Sequence, residues 1–125
     1  MSQRPPDPAS FLPLRTNWFH ILLSLADDEQ HGYAIMQDVL SRTSGQVRLW
    51  PATLYGSLSK LIEAGLIAES AERPAAELDD ARRRYYALTD LGRQVLAREG
   101  ERLEALVREV RTRGAALRAP RARRT

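Results

Sequence analysis

The stretch Trp50-Pro51-Ala52-Thr53-Leu54-Tyr55-Gly56-Ser57-Leu58-Ser59-Lys60-Leu61-Ile62-Glu63-Ala64-Gly65 decides the fold. Leu54, Leu58, Leu61 and Ile62 recur at i, i+4, i+7 and i+8, which puts them on one face of a helix. At about 100° per residue, Thr53, Gly56 and Lys60 fall on the opposite face. That face carries a small hydroxyl, a glycine and the only lysine of the chain, with Glu63 at its margin. An ordinary amphipathic helix with a modestly polar outside fits the pattern. So does a helix that approaches another backbone closely, and the DNA major groove accepts one of that width. The helix by itself leaves both readings open.

Working outward, Gln46-Val47-Arg48-Leu49 reads as a short extended piece leading in, and Pro51 suits the first helical turn, where a missing N–H costs nothing. Neither Leu49 nor Trp50 has a capping side chain. Upstream, a helix is expected over about Gly32 to Arg42, with Ile35, Met36, Val39 and Leu40 inward and Gly45 as its left-handed stop. Before it, Asp27-Asp28-Glu29-Gln30 is a polar turn. A first helix is expected over 14–26, capped by Thr16 or a neighbour. Its apolar surface of Trp18, Phe19, Ile21, Leu22, Leu23 and Leu25 is wider than one stripe, so it should cover its own core and something else, such as a partner chain. Residues 1–12 hold three prolines and read as a disordered tail without the apolar core of a secretory signal.

Downstream of Gly65, Leu66-Ile67 and Tyr85-Tyr86 suit the two strands of a hairpin around a long polar loop. Thr89 reads as an N-cap with Asp90 in the first turn. A last helix follows over roughly 90–117. Leu96, Leu103, Val110 and Leu117 recur every seven residues, Leu106 adds a second seam position, and Leu91, Val95 and Val107 widen the stripe. Glu104/Arg108 and Glu109/Arg113 are oriented i,i+4 pairs, and Gly100 is a weak point. At nearly 28 residues this helix spans about 42 Å, more than so small a domain can cover. It should therefore find another helix. Residues 118–125 form a basic tail, expected to be disordered.

The 125 residues amount to one domain with tails, and a 43% hydrophobic share supports a small core. Net charge is +3, unevenly spread: residues 1–72 sum to −3 and residues 73–125 to +6. A basic second half suggests an anionic partner, although 18 of the 19 basic residues are Arg, as a GC-rich genome also produces. The absence of cysteine excludes disulfides and thiolate metal sites and fits a cytoplasmic protein. No apolar run reaches the roughly 20 residues of a membrane span. His20 and His31 stand on different elements with no matched carboxylates, and no phosphate loop or nucleophile elbow occurs, so neither enzyme, metal nor cofactor is expected.

Three helices, a β-hairpin and a long helix make a winged helix-turn-helix, mostly α with a small β-hairpin, over residues 13–88, followed by a dimerisation helix over 89–117. Four segments in this order and spacing resemble the PadR-like transcriptional regulators. They are His31-Gly32-Tyr33-Ala34-Ile35, Pro51-Ala52-Thr53-Leu54-Tyr55-Gly56-Ser57-Leu58, Leu61-Ile62-Glu63-Ala64-Gly65-Leu66-Ile67 and Arg84-Tyr85-Tyr86-Ala87-Leu88-Thr89-Asp90-Leu91-Gly92. The resemblance covers about residues 14–115. It implies a dimeric DNA-binding repressor, with Tyr55 and the residues around Thr53 on the recognition helix and the wing between Leu66 and Tyr86. Two departures stand out: Trp50, where related sequences carry something small, and Arg15-Thr16-Asn17-Trp18, where a proline is expected. Both bear on effector chemistry rather than on DNA-facing positions.

The expected DNA contacts are Tyr33, Thr53, Tyr55, Gly56, Ser57 and Lys60, with Arg73, Arg82, Arg83 and Arg84 gripping phosphates from the wing. Packing is an equally open role for Tyr55 and for Gly32. The expected dimer contacts are Trp18, Leu22, Leu96, Leu103, Leu106 and Val110. The expected partners are a pseudo-palindromic double-stranded operator, a second copy and a small aromatic effector beside Trp18. A winged-helix protein-interaction module is the alternative reading.

Overall fold

A computed structural model describes residues 6–70 and 84–114. Four α-helices run α1 Thr16–Ser24, α2 Gly32–Arg42, α3 Pro51–Glu63 and α4 Asp90–Thr112. Three short strands, β1 Gln30–His31, β2 Ile67–Glu69 and β3 Tyr85–Leu88, form one antiparallel sheet in the order β1-β3-β2. The hairpin therefore gains a third strand. Gln30 and His31 pair with Tyr86 and Tyr85, whereas Gln46–Leu49, the expected extended piece, joins no sheet. Leu49 is nevertheless fully buried, so that segment is fixed by packing instead of by a ladder.

The core joins Ile21, Leu22 and Leu25 of α1, Ile35 and Val39 of α2, and Leu54, Leu58 and Leu61 of α3 to Leu66, Ile67, Tyr86, Leu88 and Val95. Each large aliphatic side chain buried this way contributes about 1.5–3 kcal/mol of transfer free energy. Ile62, expected on the inward face of α3, instead lies exposed at its edge. At eight residues from Leu54 it has drifted about 80° round the helix, past the width of the contact.

The helix ends follow local chemistry. Arg15 occupies the cap position of α1 without a side-chain hydrogen bond, so Thr16 is the first helical residue rather than the cap. His31 caps α2, its Nδ1 accepting from the Ala34 N–H at 3.1 Å. After α2, Thr43 Oγ1 donates to the Val39 carbonyl and accepts from the Val47 N–H. Gly45 and Gly65 adopt φ of 81°, the left-handed conformation a side chain resists, and end α2 and α3. Thr89 caps α4 by accepting from the Gly92 N–H at 3.0 Å.

A polar network locks α1 to α2. Ser24 donates to Asp38 at 2.7 Å, Arg42 pairs with Asp38 at 2.9 Å, and Arg42 also donates to Ser24 Oγ and to the His20 carbonyl. The Ser24 hydroxyl, aided by Arg42 and opposed by burial, holds the Asp38 carboxyl below its usual range. Burial, with Arg42 beside it, lowers the His20 imidazole.

Residues 1–12 were expected to be a structureless tail, and their described part is not. Pro8–Phe11 form a 3-10 turn capped by Asp7, and Phe11 and Leu12 pack against the core. Leu14 is buried, and its N–H donates to Glu99 of α4 at 3.1 Å. Prolines dominate the composition there, but three apolar side chains within four residues are enough to dock the segment. Glu99 is itself buried, and Arg102 holds it through two hydrogen bonds of 2.7 and 2.9 Å. That contact, ahead of the Leu14 N–H, depresses its carboxyl despite burial.

Candidate nucleic-acid interface

The locked inner face of α3 fixes what its outer face presents. Thr53, Gly56 and Lys60 are exposed and Ser57 is half-buried, all along one side of the helix. Lys60 forms no ion pair among the described residues. Gly56 is informative because nothing among the described residues requires it. A Cβ there meets no heavy atom within 4 Å, yet glycine costs a helix interior up to about 1 kcal/mol relative to alanine.

Gly32 contrasts with it. A Cβ at Gly32 would meet the Tyr55 hydroxyl at 2.5 Å, so the Tyr55 ring closes over the start of α2. Tyr55 thus packs α2 against α3 and keeps an exposure of 41%, while Tyr33, beside Gly32, is 61% exposed. His31 stacks on Tyr33 and meets Tyr85 edge-on. The start of α2 and the helix α3 are therefore joined by the Tyr55 contact.

Of the wing arginines, Arg84 pairs with Glu69 across the sheet edge at 3.2 Å, both ends exposed. An exposed pair of this kind is a weak tie. Arg73, Arg82 and Arg83 lie outside the described residues.

Two cations emerge that the sequence reading did not single out. The Arg48 guanidinium lies over the Trp50 ring at 4.9 Å, and that of Arg15 over Trp18 at 5.7 Å. The available signal was an arginine two or three residues from a tryptophan at a helix start. Trp18 is half-buried and, with Arg15, Lys60, Glu63 and Ala64, lines an open cleft of about 370 Å³ between α1 and α3.

The expected interface residues divide. Leu22 is wholly inside the chain's own core, which corrects its expected place at a dimer contact, because the inward stripe of α1 claims it first. Leu96 packs against the same core. Leu103 is half-buried, and Leu106, Val107 and Val110 stand 48, 47 and 54% exposed. Of the expected ion pairs on α4, Glu109–Arg113 forms at 3.8 Å and Glu104–Arg108 does not.

Three helices with a β-ribbon, the third helix presenting a short polar row, define a winged helix-turn-helix DNA-binding protein. The family model described as the transcriptional regulator PadR-like family matches residues 21–98, and the chain belongs to that family. Its members are transcription factors rather than enzymes. An uncharacterised 37.1 kDa protein of a Streptomyces fradiae transposon is 38% identical over 86 residues. The match takes in 69% of this chain, which spans only 22% of that relative's length. Among solved structures, Bacillus subtilis PadR in complex with operator DNA is similar at TM-score 0.56 and 25% identity, over 66% of this chain and 46% of that one. A transcriptional regulator from Clostridium thermocellum is similar at TM-score 0.61 and 22% identity, over 76% and 86%. No helix among the described residues is long and apolar enough to cross a membrane.

Proposed function

We propose that this PadR-family regulator is a homodimeric, sequence-specific repressor that lays α3 in the major groove. The observation that carries the reading is Gly56, a glycine exposed on the outer row of α3, which the chain's own packing does not need and close approach to DNA does. Thr53, Ser57 and Lys60 extend that row and are the base-reading candidates, while Tyr33 is a further candidate, exposed at the start of α2. Arg73, Arg82, Arg83 and Arg84 of the wing supply phosphate contacts, which add affinity without sequence choice. Two copies joined through Leu103, Leu106 and Val110 of α4 read a pseudo-palindrome with half-sites about one helical turn apart.

Selection of duplexes from a random-sequence pool tests the reading. The wild type should enrich a two-fold symmetric motif. Gly56→Leu should abolish enrichment while the helix stays folded by circular dichroism. Lys60→Ala should weaken the selected duplex by about 1–3 kcal/mol. Failure of the wild type to enrich any sequence would favour the protein-interaction module instead.

A regulatory reading rests on the cleft. A planar aromatic effector held between Trp18 and Lys60 occupies the lysine that α3 otherwise offers to DNA, so bound ligand and bound operator compete. Quenching of tryptophan emission by phenolic compounds, lost in Trp18→Phe and accompanied by weaker operator binding, is the expected result.

A further inference from the structure

Trp50 is the most exposed large apolar side chain among the described residues, at 62%, and nothing in the fold uses it. It occupies the cap position of α3 without a side-chain hydrogen bond, where serine, threonine or aspartate would satisfy an orphan N–H. Its backbone is held. Trp50 has φ −72° and ψ 155°, and the proline that follows bars it from the helical region. Its ring carries the Arg48 guanidinium on one face. Arg48 is exposed, and among the described residues its guanidinium forms no ion pair.

Position gives the pair a use. Trp50 is the cap residue immediately before the first turn of α3, three residues ahead of Thr53. The tryptophan therefore stands at the N-terminal end of the helix that the proposed function places in the groove. A ring with two side-chain torsions, a fixed backbone and a cation stacked on it is a preorganised contact. Apolar groups in the major groove contact the 5-methyl of thymine, the one apolar feature a base pair shows there. Arginine stacked on an aromatic ring keeps its fork of N–H donors free for a phosphate.

We propose that Trp50 and Arg48 form a DNA-reading pair at the head of α3, in which the Trp50 ring packs on a thymine 5-methyl group and holds Arg48 against the adjoining phosphate. The assignment rests on α3 being the groove-entering helix. It adds a sequence preference at the head of each half-site that belongs to this chain's own tryptophan. Arg48 supplies affinity and Trp50 supplies choice.

The test is parallel selection from a random duplex pool with the full-length wild type, Trp50→Ala, Trp50→Phe and Arg48→Ala. The wild type should enrich one invariant thymine at the same place in each half-site. Replacing that thymine with uracil, which lacks only the methyl, should weaken binding about fourfold, the worth of one buried methyl group. Trp50→Ala should select any base there and bind the thymine and uracil duplexes alike, and Trp50→Phe should keep part of the preference. Arg48→Ala should keep the thymine but lower the slope of log affinity against log salt by about one. Sedimentation should give the same oligomeric state for all four proteins. If the wild type enriches nothing, the DNA reading of α3 fails and the pair with it. If the wild type enriches a motif and Trp50→Ala enriches the same one with undiminished thymine preference, the pair is overturned while that reading stands. A changed oligomeric state in Trp50→Ala would make the tryptophan a protein contact and likewise overturn the assignment.

Discussion

The two halves of α4 are covalently one helix and physically two different objects. Over Asp90–Gly100 the helix is part of the winged domain: Val95 is fully buried, Leu91 and Leu96 pack on the core, and Glu99 anchors the N-terminal segment. Over Glu101–Thr112 it leaves the domain, and its apolar residues Leu106, Val107 and Val110 stand about half exposed. The heptad spacing runs through both halves unchanged, so sequence periodicity does not mark the boundary. What marks it is the supply of neighbours: the helix of 23 residues is about 34 Å long, and from Glu104 to Thr112 every residue is exposed. The apolar stripe that outruns its own core is the surface to which the proposed second copy is assigned.

The largest expected effect separates the halves directly. Val95→Asp places an unpaired charge in the core and should cost several kcal/mol, a large part of a stability of about 5–15 kcal/mol. Circular dichroism should show a protein largely unfolded at 37 °C. Val110→Asp should leave the helical signal in place and yield monomers by sedimentation at micromolar concentration, with operator binding lost. Equal unfolding in both variants would erase the distinction between the halves.

Gly92 sharpens the comparison on the domain side. The Leu66 carbonyl occupies the place where a side chain at Gly92 would lie, and Thr89 Oγ1 donates to the Gly65 carbonyl at 2.6 Å beside it. The start of α4 and the start of β2 thus meet backbone to backbone. Gly92→Ala should force them apart and cost about 1–3 kcal/mol, read as a lower denaturation midpoint with an unchanged slope.

Glu99 gives an effect that depends on pH. The Arg102 hydrogen bond chiefly holds its folded carboxyl below the usual glutamate range. The unfolded state therefore takes up the proton first. The contribution is fully present above the unfolded value and is lost as pH falls through the folded one. Glu99→Gln should be less stable than wild type by about 1–3 kcal/mol at pH 7, and the gap should be smaller at pH 3. Denaturant titrations at the two pH values measure it. A gap that persists undiminished in acid would show that packing, not charge, holds the N-terminal segment to α4.

How far the sequence carried the reading follows from the same physics. Helices α2 and α3 were legible almost to the residue, because a stripe, a proline and two glycines agree on where each begins and ends. Thr89 was legible as a cap for the same reason. The strand Gln30–His31 was not, since two residues have no periodicity and their partner lies more than fifty residues away. Leu22 was misplaced because an apolar residue does not declare which of two surfaces it serves. The docked N-terminal segment was hidden by its prolines. At the interface, Thr53, Gly56 and Lys60 could be grouped by angle alone, whereas Arg48 needed coordinates: only its place over the Trp50 ring sets it apart from other arginines.

The smallest expected effect tests the boundary between the two halves of α4, at Gly100. Here a Cβ meets nothing within 4 Å, and the residue is exposed. Within one chain, Gly100→Ala removes the conformational freedom that glycine adds to the unfolded state and introduces no clash. It should stabilise by about 0.5–1 kcal/mol, opposite in sign to the same change at Gly92 eight residues earlier. The proposed second copy bears on whether that sign survives assembly. Gly100 stands seven residues before Val107, so the two share a flank of the stripe that the partner is expected to cover. If the partner's helix approaches closely there, an added methyl raises the stability of the monomer and lowers the affinity of the dimer. Melting of the Val110→Asp background, which should be monomeric, isolates the first effect. Sedimentation of Gly100→Ala on the wild-type background measures the second. A gain in melting temperature with unchanged dimer affinity places Gly100 outside the contact. A gain with weakened dimerisation places the closest approach of the two helices at Gly100, where the chain leaves its own domain.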